Sequence, residues 1–168
     1  MLKYTASNCW KAKLKKYRSS IFCKFAGFQN SIALQNPFHP GDTKVFVTVV
    51  SNDKLARFAE GGLVHPVYST FALGNDAEWA SRLFVLEMKE TGEEGIGSYL
   101  TVDHLYPAPL GSEVSITATL VSVNGNEVNC EFVAVANSKT IAKGTTGQKI
   151  INKAKFDALL KEIADQIK

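Results

Sequence analysis

One amphipathic stripe, followed by strand patterns almost to the C-terminus, constrains this chain more than any other feature. Leu73, Ala77, Ala80, Phe84 and Met88 recur at three- or four-residue steps with Leu83 beside them, the spacing of a helix buried along one face. Glu87, Lys89 and Glu90 fall largely off the stripe, and Gly92 offers a stop. The helical pattern is expected within the stretch from His65 to Met88. Four strand patterns follow: Ile96–Tyr106, Glu113–Val123, Glu127–Ala136 and Thr140–Ile151. Between the second and third lies Asn124-Gly125, a two-residue hairpin signal. Val128, Cys130, Phe132, Ala134 and Ala136 alternate on one side of the third. Lys153–Lys168 closes the chain as an amphipathic helix with Phe156, Leu159, Leu160, Ile163 and Ile167 on its apolar face.

Upstream, Asn36-Pro37-Phe38-His39-Pro40-Gly41 is a turn cluster that marks the start of a domain. Lys44–Val50 is rich in β-branched residues and reads as the first strand. The piece DKLARFAE, preceded by Asn52 and stopped by Gly61-Gly62, is expected to form a short helix lying as a lid over the core. The order is therefore strand, small helix, long helix and four strands in hairpin succession, with no βαβ alternation. That order predicts an α+β fold: a hotdog, in which an antiparallel β-sheet wraps one long central α-helix, with a C-terminal helix added. At 168 residues the chain suits one such domain, over residues 42–168, behind an N-terminal extension over residues 1–41.

Charge separates the same two parts. Residues 1–41 hold seven basic residues and no acid, although the whole chain carries only +3. The remaining 12 basic and 16 acidic residues leave 42–168 at about −4, so the pI gives no argument for nucleic-acid binding. The basic, acid-free and aromatic-rich extension resembles an organelle transit peptide, and reads equally as an extension with no targeting role. No apolar run approaches the ~20 residues that cross a bilayer. Cys9, Cys23 and Cys130 are odd in number and widely spaced, which argues against a disulfide framework or a zinc site. A reducing, cytoplasmic setting is expected, with no metal.

Three side chains near the central helix carry the candidate chemistry. Thr70, Glu78 and His104 supply a hydroxyl, a carboxylate and an imidazole, the parts needed for acid–base assisted acyl transfer. Each has a commoner role. A Ser or Thr at a helix start usually caps it, a helix Glu is usually solvated, and a lone strand His is more often structural. Asp103 points to the face opposite His104 and is not its partner. Spacing adds a constraint: eight residues of continuous helix separate Thr70 from Glu78 by ~12 Å. Either the helix begins later, near Asn75 or Asp76, or the site is assembled across a dimer interface. Gly95-Ile96-Gly97 lacks the context of a dinucleotide loop and reads as a turn into a strand. His39 and His65 each sit beside a proline and read as loop residues.

VYSTFALGNDAEWAS, followed by GIGSYLTVDHLYPAPLGSEVSITATL, resembles the hotdog-fold acyl-CoA thioesterases of the fluoroacetyl-CoA thioesterase type over about residues 44–150. That family carries a Thr before the central helix, a Glu-Trp pair eight residues later, and a His in the next strand ahead of a Pro-rich turn. These correspond here to Thr70, Glu78-Trp79 and His104. The resemblance implies catalytic roles for those three and places Gly97, seven residues before His104, near the thioester. It further implies a homodimer with sites at its interface, short acyl-CoA thioesters as substrates, and no cofactor beyond the coenzyme A of the substrate. One departure concerns the lid: Leu63-Val64-His65-Pro66 stands where the fluoroacetate-specific member has an aromatic lid residue, so halogen selectivity is not carried over. Two further readings stay open on sequence: an acyl-CoA hydratase or dehydratase, and a non-catalytic acyl-CoA-binding module.

Overall fold

In the computed structural model, residues 35–167 are described. The expected transit-peptide-like segment lies outside them, apart from its last residues. The described residues fall within one compact unit, 32–168, which carries the sheet and its helices.

Five strands form one antiparallel sheet in the order β1-β5-β6-β7-β4. They are β1 (Thr43–Val49), β4 (Glu93–His104), β5 (Glu113–Asn124), β6 (Glu127–Ala136) and β7 (Lys139–Asn152). The long helix α1 (Thr70–Met88) lies on the sheet and touches all five strands. The helix α2 (Lys153–Asp165) follows β7 directly. Two further strands, β2 (Leu55–Phe58) and β3 (Gly62–Tyr68), make a separate hairpin. The α+β hotdog expected from the order of patterns is the fold that forms.

The core follows the patterning. Val114, Ile116, Ala118 and Leu120 of β5 and Val128, Cys130, Phe132 and Ala134 of β6 are buried at every second position, and Leu73, Ala77, Ala80, Phe84 and Met88 of α1 pack onto them. Ser69 caps α1 by accepting a hydrogen bond from the Ala72 amide at 3.0 Å, so the hydroxyl of the next residue, Thr70, is free for other use. The helix ends at Lys89, whose extended backbone (φ −72°, ψ 141°) stops it. Gly92, at φ +88°, does not cap the helix. It makes the turn into β4 and accepts the Lys153 amide at 2.9 Å, where a side chain would be strained.

Further local expectations are corrected. Gly95-Ile96-Gly97 lies inside β4 rather than in a turn leading into it. The helical pattern does not reach back to His65, because His65–Tyr68 belongs to β3. DKLARFAE is not a helix either: Asn52–Lys54 make one 3₁₀ turn and Leu55–Phe58 pair with β3. Its apolar residues recur at helical spacing, but Leu55 is buried beside Tyr68 while Phe58 is exposed, which is strand behaviour. Pairing with Gly62–Tyr68 satisfies backbone groups that an isolated eight-residue helix would hold only marginally.

Candidate active site

Thr70 opens α1 and His104 ends β4, and the fold brings them together: Thr70 Oγ1 lies 3.1 Å from His104 Nδ1. A hydroxyl can donate to or accept from that nitrogen, and the contact fixes the plane of the ring. The other ring nitrogen, Nε2, is buried and has no hydrogen-bond partner among the described residues. Asp103 is exposed and pairs across the sheet with Lys143, which keeps it off the imidazole as strand alternation requires.

Glu78 lies two turns further along α1. The helix is continuous from Thr70, so the option of a later start is removed, and the two side chains are too far apart along the axis for a direct bond. The Glu78 carboxylate lies over Gly97 instead. A Cβ on Gly97 would fall 3.0 Å from Glu78 Cδ and closer still to Oε1, so the missing side chain is the space that the carboxylate occupies. Gly74 permits a similar approach higher up, since a Cβ there would lie 2.8 Å from Leu100 Cδ2. Between α1 and β4 runs an open groove of about 460 Å³, lined by polar Thr70, Asn75 and Glu78 and apolar Phe71, Leu100 and Val102. Phe71 is 88% exposed and Leu100 40%. Glu78 and Asn75 also line a second hollow of about 440 Å³, with Phe46, Asp76, Trp79 and Arg82.

A buried polar network beneath the helix start was not anticipated from the sequence. Asp76 is buried and accepts from Tyr68 Oη at 2.5 Å and from Lys54 Nζ at 2.6 Å, and Lys54 also donates to Thr48 Oγ1. Burial, and next the bond to Asp76, push the Tyr68 hydroxyl well above its ordinary pKa. The signal in the sequence was Asp76 itself: an acid three residues after Leu73 falls on the buried stripe, where an unpaired carboxylate is not tolerated. At the far end of α1, the hydrogen bond from Lys89 is the main reason the Glu94 carboxyl sits below its usual range, with the neighbouring Gly95 amide and Arg82 adding to it. Burial pushes the Cys130 thiol up to about 11, which leaves it protonated and inert at neutral pH. Among the described residues no group of three or more His, Cys, Asp or Glu could hold a metal ion, and no helix is long and apolar enough to cross a membrane.

A central helix on a five-stranded antiparallel sheet is the fold of the thioesterase structures to which this chain is similar. The family model for the fluoroacetyl-CoA-specific thioesterase matches residues 50–154; the chain belongs to that family and is an acyl-CoA thioesterase. The fluoroacetyl-CoA thioesterase of Streptantibioticus cattleyicolor is 29% identical over 96 residues, which cover 57% of this chain and 69% of that protein. Among solved structures, a thioesterase superfamily member from Thermus thermophilus is 38% identical with a TM-score of 0.75, covering 79% of this chain and 97% of its own. A threonine-to-serine variant of the fluoroacetyl-CoA thioesterase, solved with acetyl-CoA, is 25% identical with a TM-score of 0.70, covering 74% of this chain and 98% of its own.

Proposed function

We propose that this thioesterase hydrolyses short acyl-CoA thioesters through Glu78 and His104, with Thr70 orienting the imidazole and the Gly97 backbone beside the thioester oxygen. The observation that carries the reading is the pairing of two contacts: Thr70 holds His104 by Nδ1, and Gly97 makes room for the Glu78 carboxylate against β4. The first leaves Nε2 as the atom that exchanges a proton. The second sets an anionic oxygen beside strand backbone, where a carbonyl can be approached and its developing charge met by an amide. Either Glu78 attacks the carbonyl and water then hydrolyses the acyl-glutamyl anhydride, or Glu78 takes a proton from the water that attacks directly. In both routes a C–O bond forms, the C–S bond breaks, the acid is released with Glu78 regenerated, and the departing thiolate of coenzyme A takes a proton that the water gave up.

Because Thr70 and Glu78 sit on one continuous helix about 12 Å apart, the reading includes a homodimer in which the Thr70–His104 pair of one protomer faces Glu78 of the other. Two features support it. β4 is an edge strand and offers unpaired backbone groups to a second copy. Phe71 and Leu100 stand exposed along the groove beside it.

Thiol release from acetyl-, propionyl-, butyryl- and longer acyl-CoA tests the proposal. Glu78→Gln and His104→Ala should each lower kcat by about 10²–10⁴-fold with an unchanged melting temperature, and the shortest chains should turn over fastest. Wild-type turnover in either variant would remove that residue from the mechanism.

A further inference from the structure

Gln148 of β7 is 1% exposed and has no place in the thioester chemistry, yet it touches both halves of the Glu78 site. In the register of the sheet it stands directly opposite Gly97, the residue over which the Glu78 carboxylate lies. Its Nε2 donates to the backbone carbonyl of Glu78 at 3.0 Å, while its Oε1 is buried with no hydrogen-bond partner among the described residues. The Glu78 carbonyl lies mid-helix and already receives the i+4 amide of Arg82 by α-helical geometry. Gln148 is therefore not needed to satisfy it. A buried amide with one end unpaired is a net cost to folding, and an apolar residue of the same length would avoid that cost. The hydrogen bond does something that packing alone would not: it fixes the height and rotation of the Glu78 turn above the strand that carries Gly97.

We propose that Gln148 is a positioning residue, which acts by pinning the Glu78 backbone so that the carboxylate stays seated over Gly97. The inference rests on the proposed role of Glu78. Without the pin, the turn can shift by up to about 1 Å away from β4, and the carboxylate moves with it. A misplacement of that order in a reacting group costs roughly 10²-fold in rate, while Thr70, Phe71, Leu100 and Val102 of the groove lie outside that turn.

The test compares wild type, Glu78→Gln, Gln148→Met and the double variant by thiol release from acetyl-CoA, with a thermal melt of each. Gln148→Met should melt at or above wild type, hold KM within about twofold and lose about 10- to 100-fold in kcat. In the Glu78→Gln background the same change should cost less than about threefold, because residues acting through one another are not additive. An unchanged kcat in folded Gln148→Met overturns the inference, and so does an equal loss in both backgrounds, which is the mark of a general structural defect. Should the Met variant fail to fold, Gln148→Leu enters the same comparison. Wild-type turnover in Glu78→Gln would sink the role of Glu78 itself. Glu78-dependent turnover that is indifferent to Gln148 sinks only the positioning role.

Discussion

Gly97 is where one missing side chain decides the geometry of the site. A Cβ at Gly97 would enter the space of the Glu78 carboxylate. The atoms it would meet are the end of a flexible side chain, so the fold can relax by swinging the carboxylate away at little cost. Gly97→Ala is therefore expected to leave the melting temperature within a few degrees of wild type and to lower kcat by about 10²-fold. Thiol release and a thermal melt on the same sample check this; unchanged turnover would mean that the carboxylate does not work from its place over Gly97. Thr70 shows a different logic. Its hydroxyl is free to meet His104 because Ser69, one residue earlier, supplies the cap. In sequence a Ser or Thr at a helix start reads as a cap, and the position of the first helical residue gives that role to Ser69 rather than Thr70.

Among the elements, legibility followed burial on a single face. β5 and β6 alternate in sequence because one side of each packs on α1 while the other does not, and their spans came out within one residue of the pattern. β2 was misread because its identity comes from β3, which pairs with it through an irregular register; nothing local in DKLARFAE encodes partners that lie beyond it, in Gly62–Tyr68. Gln148 left a trace in the alternation of Thr146, Gln148 and Ile150, all buried, but an inward-phase polar residue names no partner until the helix is in place. Asp76 likewise announced a buried carboxylate without naming Lys54 or Tyr68. That network ties α1 to the base of the β2–β3 hairpin, and its side chains are well covered, at 19% exposure for Lys54 and 7% for Asp76. Asp76→Ala strands a lysine and a phenol in the interior. It should cost about 3–5 kcal/mol of stability, read from urea denaturation as a lowered midpoint at unchanged slope. A loss under about 1 kcal/mol would place the pair in the class of solvated surface bridges.

For the molecule as a whole, the boundary at which the domain begins is the remaining question of organisation, and sequence placed it at residue 42 on charge and turn composition. Side-chain packing reaches further upstream. The Phe38 ring meets Phe84 of α1 edge to face, with centroids 5.0 Å apart, and Lys44 lies over Phe38 at 4.8 Å. The chain is then tied to the sheet by the Gly41 amide, which donates to the Leu120 carbonyl at 2.8 Å. The turn cluster that signalled a start thus packs on the domain through Phe38, which lies partly buried against the core at Phe84. Shortened chains separate the two boundaries. A protein beginning at residue 35 should match the full chain in melting temperature and in kcat, since it keeps the contacts of Phe38, Gly41 and Lys44. One beginning at residue 42 loses a half-buried Phe with its aromatic pair and should be about 1–3 kcal/mol less stable, while kcat at a temperature where both are folded stays the same, because Phe38 lies outside the groove of Thr70, Glu78 and Leu100. Equal stability of the two shortened chains would return the boundary to residue 42; a loss of turnover in the chain beginning at 35 would give the basic N-terminal segment a part in catalysis.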